Sequence, residues 1–131
     1  MPADRVVAVV TGGRDYTDHE AVRRALVKHG VTEVAHGACH KGRKVWWDGF
    51  RHCYGADGCA SRVAYGLRLM CRAYPIRKDL DGPWPGAGPR RNRRMLEAER
   101  PDLVLAFPGG RDTASCVRIA EELGIRVVRC E

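Results

Sequence analysis

Short apolar runs and helical repeats alternate along the whole chain. The run from Val6 to Val10 is continuous and mostly β-branched, which is typical of a strand covered on both faces. The run from Leu103 to Phe107 has the same character. Between the two, apolar residues recur at helical spacing, for example within residues 21–26. The pattern therefore predicts buried strands separated by amphipathic helices.

The boundaries of these elements follow from glycine, proline and capping residues. Asp18 caps the first helix and Gly30 ends it. Residues 79–89 contain three prolines and three glycines, which indicates a loop. The predicted order is strand 5–10, helix 18–29, strand 31–36, helix 57–71, strand 73–76, helix 90–99, strand 103–107, helix 113–123 and strand 125–129.

This alternation predicts one Rossmann-like α/β domain over residues 1–131, with about five mostly parallel strands and helices on both faces. Residues 38–54 are too long and too polar for a direct connection, so we predict an inserted loop there. A chain of 131 residues fits a single domain of this kind.

Composition narrows the class of protein. The longest apolar runs are far too short to cross a bilayer, so we expect no membrane segment. The N-terminus lacks the basic start and apolar stretch of a secretory signal, so we expect a cytoplasmic protein whose six cysteines are not a disulfide framework.

The charge balance favours an anionic partner. The chain has 23 basic and 16 acidic residues, for a net charge of +7, and 19 of the basic residues are arginine. Arginine binds phosphate and carboxylate groups through two parallel hydrogen bonds. Four arginines between residues 90 and 94 also raise the alternative of a nucleic-acid-binding domain, although one solvated basic face explains that run equally well.

Three glycine turns directly follow predicted strands. They are Gly12-Gly13, Gly37 and Gly109-Gly110. Ligands of parallel sheets bind at the carboxyl ends of the strands, and glycine lets them approach the backbone closely. After Gly110 the next element is a helix, whose free N–H groups favour an anion, and Thr113 adds a hydroxyl. We therefore predict a nucleotide or sugar-phosphate pocket at this edge.

Four ordered motifs resemble those of a known family. They are Thr11-Gly12-Gly13-Arg14-Asp15-Tyr16, Gly55-Ala56-Asp57, Ala87-Gly88-Pro89-Arg90-Arg91-Asn92 and Phe107-Pro108-Gly109-Gly110. Their order is similar to that in the small YspA-like members of the SLOG superfamily, and the resemblance covers nearly the whole chain. It implies a Rossmann-type domain and a nucleotide, NAD-derived or other nucleoside-phosphate ligand, with no resident cofactor.

The resemblance matches Arg91 and the loop residues Pro108, Gly109, Gly110 and Thr113 to the family, and our interpretation of the pocket assigns roles to further residues. Phosphate would be held by three arginines, and the ribose or base edges by two polar side chains. Glycine turns would supply backbone donors. The implied ligand-binding residues are Arg14, Arg91 and Arg111 for phosphate, Asn92 and Asp57 for ribose or base, and Gly12, Gly13, Asp15, Gly37, Gly109, Gly110 and Thr113 around them.

The superfamily includes the LOG phosphoribohydrolases, which cleave the N-glycosidic bond of nucleoside monophosphates. Arg91 lies four residues before Met95, as the arginine of their signature does before its methionine. Two signature positions differ, because Asp112 replaces a loop glycine and Cys116 replaces the glutamate. The alternative of a glycosidic hydrolase therefore needs another carboxylate, Asp57 or Asp15, together with Arg91.

The inserted loop leaves three alternatives open. A zinc site could use Cys39, His40, Cys53 and Cys59, yet the Cys-x-x-Cys spacing of structural zinc is missing, so we expect no metal. The loop could instead be a hairpin whose Trp46 packs on the domain or on a second subunit of a homodimer. It could also be a lid that stacks on a nucleobase.

Overall fold

A computed structural model describes residues 4–38 and 54–131 of the chain. Five strands form one sheet with helices between them. The elements are β1 (Val7–Thr11), α1 (His19–Lys28), β2 (Glu33–His36), α2 (Gly55–Gly66), β3 (Met70–Ala73), α3 (Lys78–Asp81), α4 (Ala87–Glu99), β4 (Leu103–Ala106), α5 (Arg111–Glu122) and β5 (Arg126–Arg129).

All strand pairs are parallel, and the order is β3-β2-β1-β4-β5. The order reverses between β1 and β4, which is where ligands of such sheets bind. Both faces of the sheet are covered, as the continuous apolar strands require. The predicted single-sheet α/β fold with five parallel strands is confirmed.

Each face of the sheet has its own core. Val10 and Leu105 point toward α1 and α2, where Val22 and Ala60 are buried. The residues that alternate with them point toward α4 and α5, as the two-residue period of a strand dictates. Among the described residues, no helix has the length and apolar character needed to span a membrane.

Several predicted boundaries were wrong. Helix α2 ends at Gly66, so Cys71 lies in β3 and not on a helix. Strand β3 precedes the predicted strand 73–76 by three residues, because Arg68 takes a positive φ of 59° and turns the chain early. A short helix, α3, occupies part of the predicted loop 79–89, and α4 begins at Ala87. Residues 39–53 of the predicted insertion lie outside the described residues.

Candidate functional site

The turns that follow β1 and β4 pack directly against each other. The Gly13 N–H donates to the carbonyl of Pro108 at 2.8 Å. A Cβ on Gly109 would stand 2.2 Å from the Thr113 hydroxyl and 2.7 Å from the Gly13 nitrogen, so only glycine fits there. Two of the three predicted glycine turns, Gly12-Gly13 and Gly109-Gly110, are therefore brought together as one junction at the switch point of the sheet. The third, Gly37, lies against the Arg91 guanidinium.

The start of α2 completes this junction. Gly55 has a φ of +64°, and a Cβ on it would stand 2.2 Å from the Gly13 carbonyl oxygen. The Ala56 N–H donates to that carbonyl at 3.1 Å. Asp57, in the first turn of α2, is thereby carried into a buried position with 8% of its surface exposed. The positive φ of residue 55 and its close approach to the Gly13 carbonyl both require glycine at that position.

A cleft opens between the end of β4, the start of α5 and the end of β5. We call it the β4–α5 cleft. Its volume is about 290 Å³. Its lining comprises Ala106, Phe107, Pro108, Gly109, Gly110, Thr113, Ala114, Val117, Arg129 and Cys130.

The cleft lies at hydrogen-bond donors for which residues 4–38 and 54–131 provide no partner, as the start of α5 shows. The first backbone hydrogen bond of α5 runs from Ala114 to Gly110, so the N–H groups before Ala114 lack helical acceptors. No hydrogen bond among the described residues engages the Thr113 hydroxyl, although that residue is only 8% exposed. A Cβ on Gly110 would meet nothing within 4 Å, so the space above it is open.

Arg129 is a candidate site residue that sequence reasoning missed. It ends β5 and lines the cleft, and its guanidinium lies 3.9 Å from the Glu121 carboxylate. No glycine turn marks the carboxyl end of β5 in the sequence. The parallel pairing of β5 with β4 was the available signal, since it brings residue 129 beside Ala106.

Arg91 and Asn92 form a second, buried cluster next to the cleft. The Arg91 guanidinium donates to the carbonyls of Gly37 and Tyr74, so it joins the ends of β2 and β3. Its Nε donates to Asn92 at 2.9 Å. Only the remaining nitrogen, which lies 3.4 Å from the Asp112 carboxylate, is directed toward α5. Most of the Arg91 side chain thus positions strand ends.

Asp112 turns toward this cluster and away from the cleft. Its Oδ1 accepts from the Asn92 amide at 3.1 Å, and it is absent from the cleft lining. Asp112 replaces a glycine of the LOG phosphate loop, and a side chain at that place could have pointed into the phosphate position. The structure places it on the opposite side of the α5 N-terminus because the buried Asn92 and Arg91 hold it there.

Other predicted site residues lie elsewhere. Arg14 and Asp15 line a separate cleft of about 230 Å³ between the β1 loop and α2, with Tyr16, Thr17, His19, Tyr54, Gly55, Cys59 and Arg62. Arg111 is exposed and does not line the β4–α5 cleft. Gly12 packs inward, because a Cβ on it would stand 2.5 Å from that of Ala56.

Cys116 and His36 are buried, neutral groups near the same edge. The Cys116 thiol is fully buried, which raises its pKa to about 12. Burial and the nearby Arg91 lower the pKa of His36 to about 4. The His36 Nδ1 accepts from the Ala38 N–H at 2.9 Å, and its Nε2 has no partner among the described residues. Neither group supplies a negative charge at neutral pH.

The cysteines and the predicted metal ligands are only partly described. Cys39, His40 and Cys53 lie outside the described residues. Cys59 is buried, and its Sγ donates to the carbonyl of Tyr16 at 3.7 Å. Within residues 4–38 and 54–131, no three His, Cys, Asp or Glu side chains are grouped so that they could hold a metal ion.

Comparisons with protein-family models and with curated proteins gave no match. Among solved structures, the chain is similar to a protein described as a UDP-N-acetylglucosamine 2-epimerase from Listeria monocytogenes. The identity is 16% and the TM-score 0.54, over 97% of this chain and 31% of that one. A pantoate-beta-alanine ligase from Francisella tularensis, crystallised with Beta-gamma ATP and beta-alanine, gives 9% identity and a TM-score of 0.52 over 99% and 60%. The fold is Rossmann-like. The chain spans less than two thirds of either protein.

Proposed function

We propose that the domain binds a nucleoside phosphate or a related sugar phosphate, with the phosphate in the β4–α5 cleft. The observation that carries the proposal is the Thr113 hydroxyl, which belongs to a residue only 8% exposed, lines the cleft and makes no hydrogen bond among the described residues. A hydroxyl at a cleft wall that is not used by the fold can donate to a bound ligand. A phosphate oxygen accepts such a bond.

The surroundings of Thr113 suit an anion. The cleft opens at the N-terminus of a helix of 12 residues, where unpaired N–H groups and the helix dipole favour negative charge. Arg129 adds a cationic side chain to the lining of the cleft. The open space above Gly110 provides room for the phosphate itself. The resemblance of residues 108–113 to the phosphate loop of the SLOG superfamily supports the same ligand class.

Two alternatives gain less support from the geometry. A LOG-type hydrolase needs a carboxylate near the bound sugar, but the Cys116 thiol at the glutamate position is buried and neutral at physiological pH. Neither Asp57 nor Asp15, the two alternative carboxylates, lines the β4–α5 cleft. A nucleic-acid-binding α4 needs free arginines, and all four between residues 90 and 94 bond within the chain, as described below. Binding without catalysis is therefore the function that we carry forward.

Thermal unfolding with phosphorylated probes tests the proposal. The probes are inorganic phosphate, ribose 5-phosphate, AMP and NAD, each at up to 100 times its dissociation constant. A ligand at that excess stabilises a protein by about 2.7 kcal/mol, which shifts the Tm of a domain of this size by several degrees. If none of the probes raises the Tm, the proposal is wrong.

Paired variants locate the site. Thr113→Val keeps the side-chain shape but removes the hydroxyl, and Arg129→Gln removes the cation. Each should weaken binding of the stabilising probe about tenfold, since a hydrogen bond to a charged group contributes about 1.5–3 kcal/mol. Arg126→Gln, at the other end of β5, is the matched control and should leave the dissociation constant unchanged, as measured by calorimetry. An equal loss in the Arg126 variant would place binding outside the cleft.

A further inference from the structure

Asp112 is an acidic side chain in the first turn of α5 that is held against α4. Its Oδ1 accepts from the Asn92 amide at 3.1 Å, and the same amide lies 3.3 Å from the Asp112 main-chain carbonyl, to which it also donates. Its Oδ2 lies 3.4 Å from an Arg91 nitrogen. A Cβ on Gly88, one turn before Asn92, would stand 3.3 Å from Oδ1, so glycine there leaves room for the carboxylate. The carboxylate therefore has a fitted place on α4.

The direction of the Asn92 amide is fixed from inside the domain. Arginine carries only donors, and the Arg91 Nε donates to the Asn92 oxygen at 2.9 Å. The amide nitrogen of Asn92 must then point the other way, toward Asp112. Asn92 is 2% exposed and Arg91 is 6% exposed, whereas the Asp112 side chain is 56% exposed. Two buried residues of α4 thus set the direction of an exposed carboxylate.

Without Asn92, this carboxylate has another place to go. An acidic side chain in the first turn of a helix is attracted by the free N–H groups and by the positive end of the helix dipole. The start of α5 offers such groups, since Gly110 at its N-cap has no side chain to bond to them. A released Asp112 would turn back to its own helix, at the place where the proposed phosphate lies. There its negative charge would compete with the phosphate and repel it.

We propose that Asn92 is a positioning residue for anion binding: it holds the Asp112 carboxylate on α4 and so keeps the N-terminus of α5 free for phosphate. Asn92 does not line the β4–α5 cleft, so it acts through Asp112. This inference rests on the proposed function, because it takes the phosphate to lie at the start of α5. It also explains how an acidic residue is tolerated where the LOG phosphate loop has glycine, since α4 provides a donor for it.

A double-mutant cycle between residues 92 and 112 tests the proposal. The full chain, Asn92→Ala, Asp112→Asn and the double variant are titrated by calorimetry with inorganic phosphate, ribose 5-phosphate, AMP and NAD. When residue 112 is aspartate, Asn92→Ala should weaken binding about tenfold, which is the size of one hydrogen bond to a charged group. When residue 112 is asparagine, the same change should weaken binding less than about twofold, because no carboxylate is released. Asp112→Asn alone should bind the probes at least as tightly as the wild-type protein.

Asn92→Asp is the second variant, and it serves where the alanine variant does not fold. It keeps the side-chain shape and the oxygen that accepts from Arg91, but it replaces the donor to Asp112 with a second carboxylate that repels it. Binding should again fall about tenfold or more. Combining Asn92→Asp with Asp112→Asn restores both the donor–acceptor pair and the net charge, so binding should return to within about threefold of the wild-type value.

The two proposals fail in different ways. If none of the four probes binds the wild-type protein, the proposed function falls and this inference falls with it. If the probes bind, but the changes at residue 92 weaken binding equally whether residue 112 is aspartate or asparagine, Asn92 only supports the fold and the inference is overturned. Unchanged binding in Asn92→Ala would overturn it as well.

Discussion

Two adjacent glycines in the turn after β4 have opposite surroundings. Gly109 is enclosed, with the Thr113 hydroxyl and the Gly13 nitrogen where a side chain would begin. Gly110 faces open space, since a Cβ on it would meet nothing within 4 Å. The first glycine is therefore required by packing, whereas packing does not require the second.

Alanine at the two positions should separate these roles. Gly109→Ala forces the Thr113 side chain or the Gly13 backbone to move and should lower the free energy of unfolding by about 1–3 kcal/mol. Gly110→Ala should change it by less than about 0.5 kcal/mol. Gly110→Val should retain the fold but lose phosphate binding, because its side chain fills the cleft. Urea denaturation and calorimetry measure the two properties, and a stable Gly109→Ala would contradict the packing argument.

At the scale of elements, α4 binds the rest of the domain through its arginines. Each arginine makes its own set of bonds: Arg90 bonds the carbonyls of Asp81 and Pro83, Arg91 those of Gly37 and Tyr74, Arg93 the carboxylate of Glu122, and Arg94 the carboxylate of Asp81. The four arginines thus hold α4 against α3, α5 and the strand ends through hydrogen bonds and ion pairs. A pattern of charge along the sequence does not reveal such partners.

Removing Arg94 should lower the free energy of unfolding far more than removing Arg93. Arg94 makes two bonds, of 2.8 and 2.9 Å, to Asp81, which is 1% exposed, so Arg94→Ala leaves a buried charge unpaired. The expected loss is about 3 kcal/mol in the free energy of unfolding. Arg93 pairs with Glu122 at the surface, and Arg93→Ala should cost less than about 1 kcal/mol. Equal losses in urea denaturation would show that the Asp81 pair is as weak as a surface pair.

The elements that the sequence predicted best are those with strong local signals. The apolar runs of β1 and β4 and the cap of α1 were predicted nearly in place, and Asp18 indeed accepts from the Ala21 N–H at 3.0 Å. Strand β3 was misplaced because its sequence, Met70–Ala73, has no apolar alternation and depends on pairing with β2. Tertiary contacts override weak propensity at such a strand.

The candidate site also has parts that local sequence signals predict and parts that depend on tertiary contacts. The glycine turns could be predicted, since a strand followed by two glycines has few other causes. The direction of the Asp112 side chain could not be, because it depends on Asn92, which is distant in sequence. Arg129 was missed because only the pairing of β5 with β4, which brings it beside Ala106, indicates its place. The direction of the Asp112 side chain depends on the hydrogen-bond donors that α4 presents to it.

At the scale of the molecule, a network of charges joins β2, β3 and α4. Arg72 bonds Glu33 at 2.7 Å and Glu99 at 2.8 Å, and Tyr74 donates to Glu99 as well. Hydrogen bonds from Arg5 and Arg72 lower the pKa of Glu33 to about 2. Burial lowers the pKa of His36 to about 4, so this side chain stays neutral at any pH above that value.

Acid should therefore destabilise the domain in two steps. His36 binds a proton less readily in the folded state than in the unfolded state, so stability falls as the pH drops from about 6.5 to about 4. Glu33 stabilises the fold above its ordinary pKa of about 4.5, and this contribution is lost as the pH falls toward about 2. One proton sets a maximal slope of about 1.4 kcal/mol per pH unit.

Denaturation at a series of pH values checks both steps. His36→Gln should reduce the loss of stability between pH 6.5 and 4, and Glu33→Gln should reduce the loss between pH 4.5 and 2. Both expectations hold whatever each variant does to stability at neutral pH. An unchanged slope between pH 6.5 and 4 in the His36 variant would assign that step to another group.

The strand order leaves β3 and β5 at the two edges of the sheet. An edge strand presents unpaired backbone groups to which a second chain can add, which is a common start of aggregation. Strand β5 carries exposed arginines at both ends, Arg126 and Arg129, and their charges discourage a second copy from pairing there. Arg129 therefore protects an edge as well as lining the cleft. An apolar residue in place of Arg129 would favour aggregation of the chains at high concentration, whereas glutamine there keeps the edge polar.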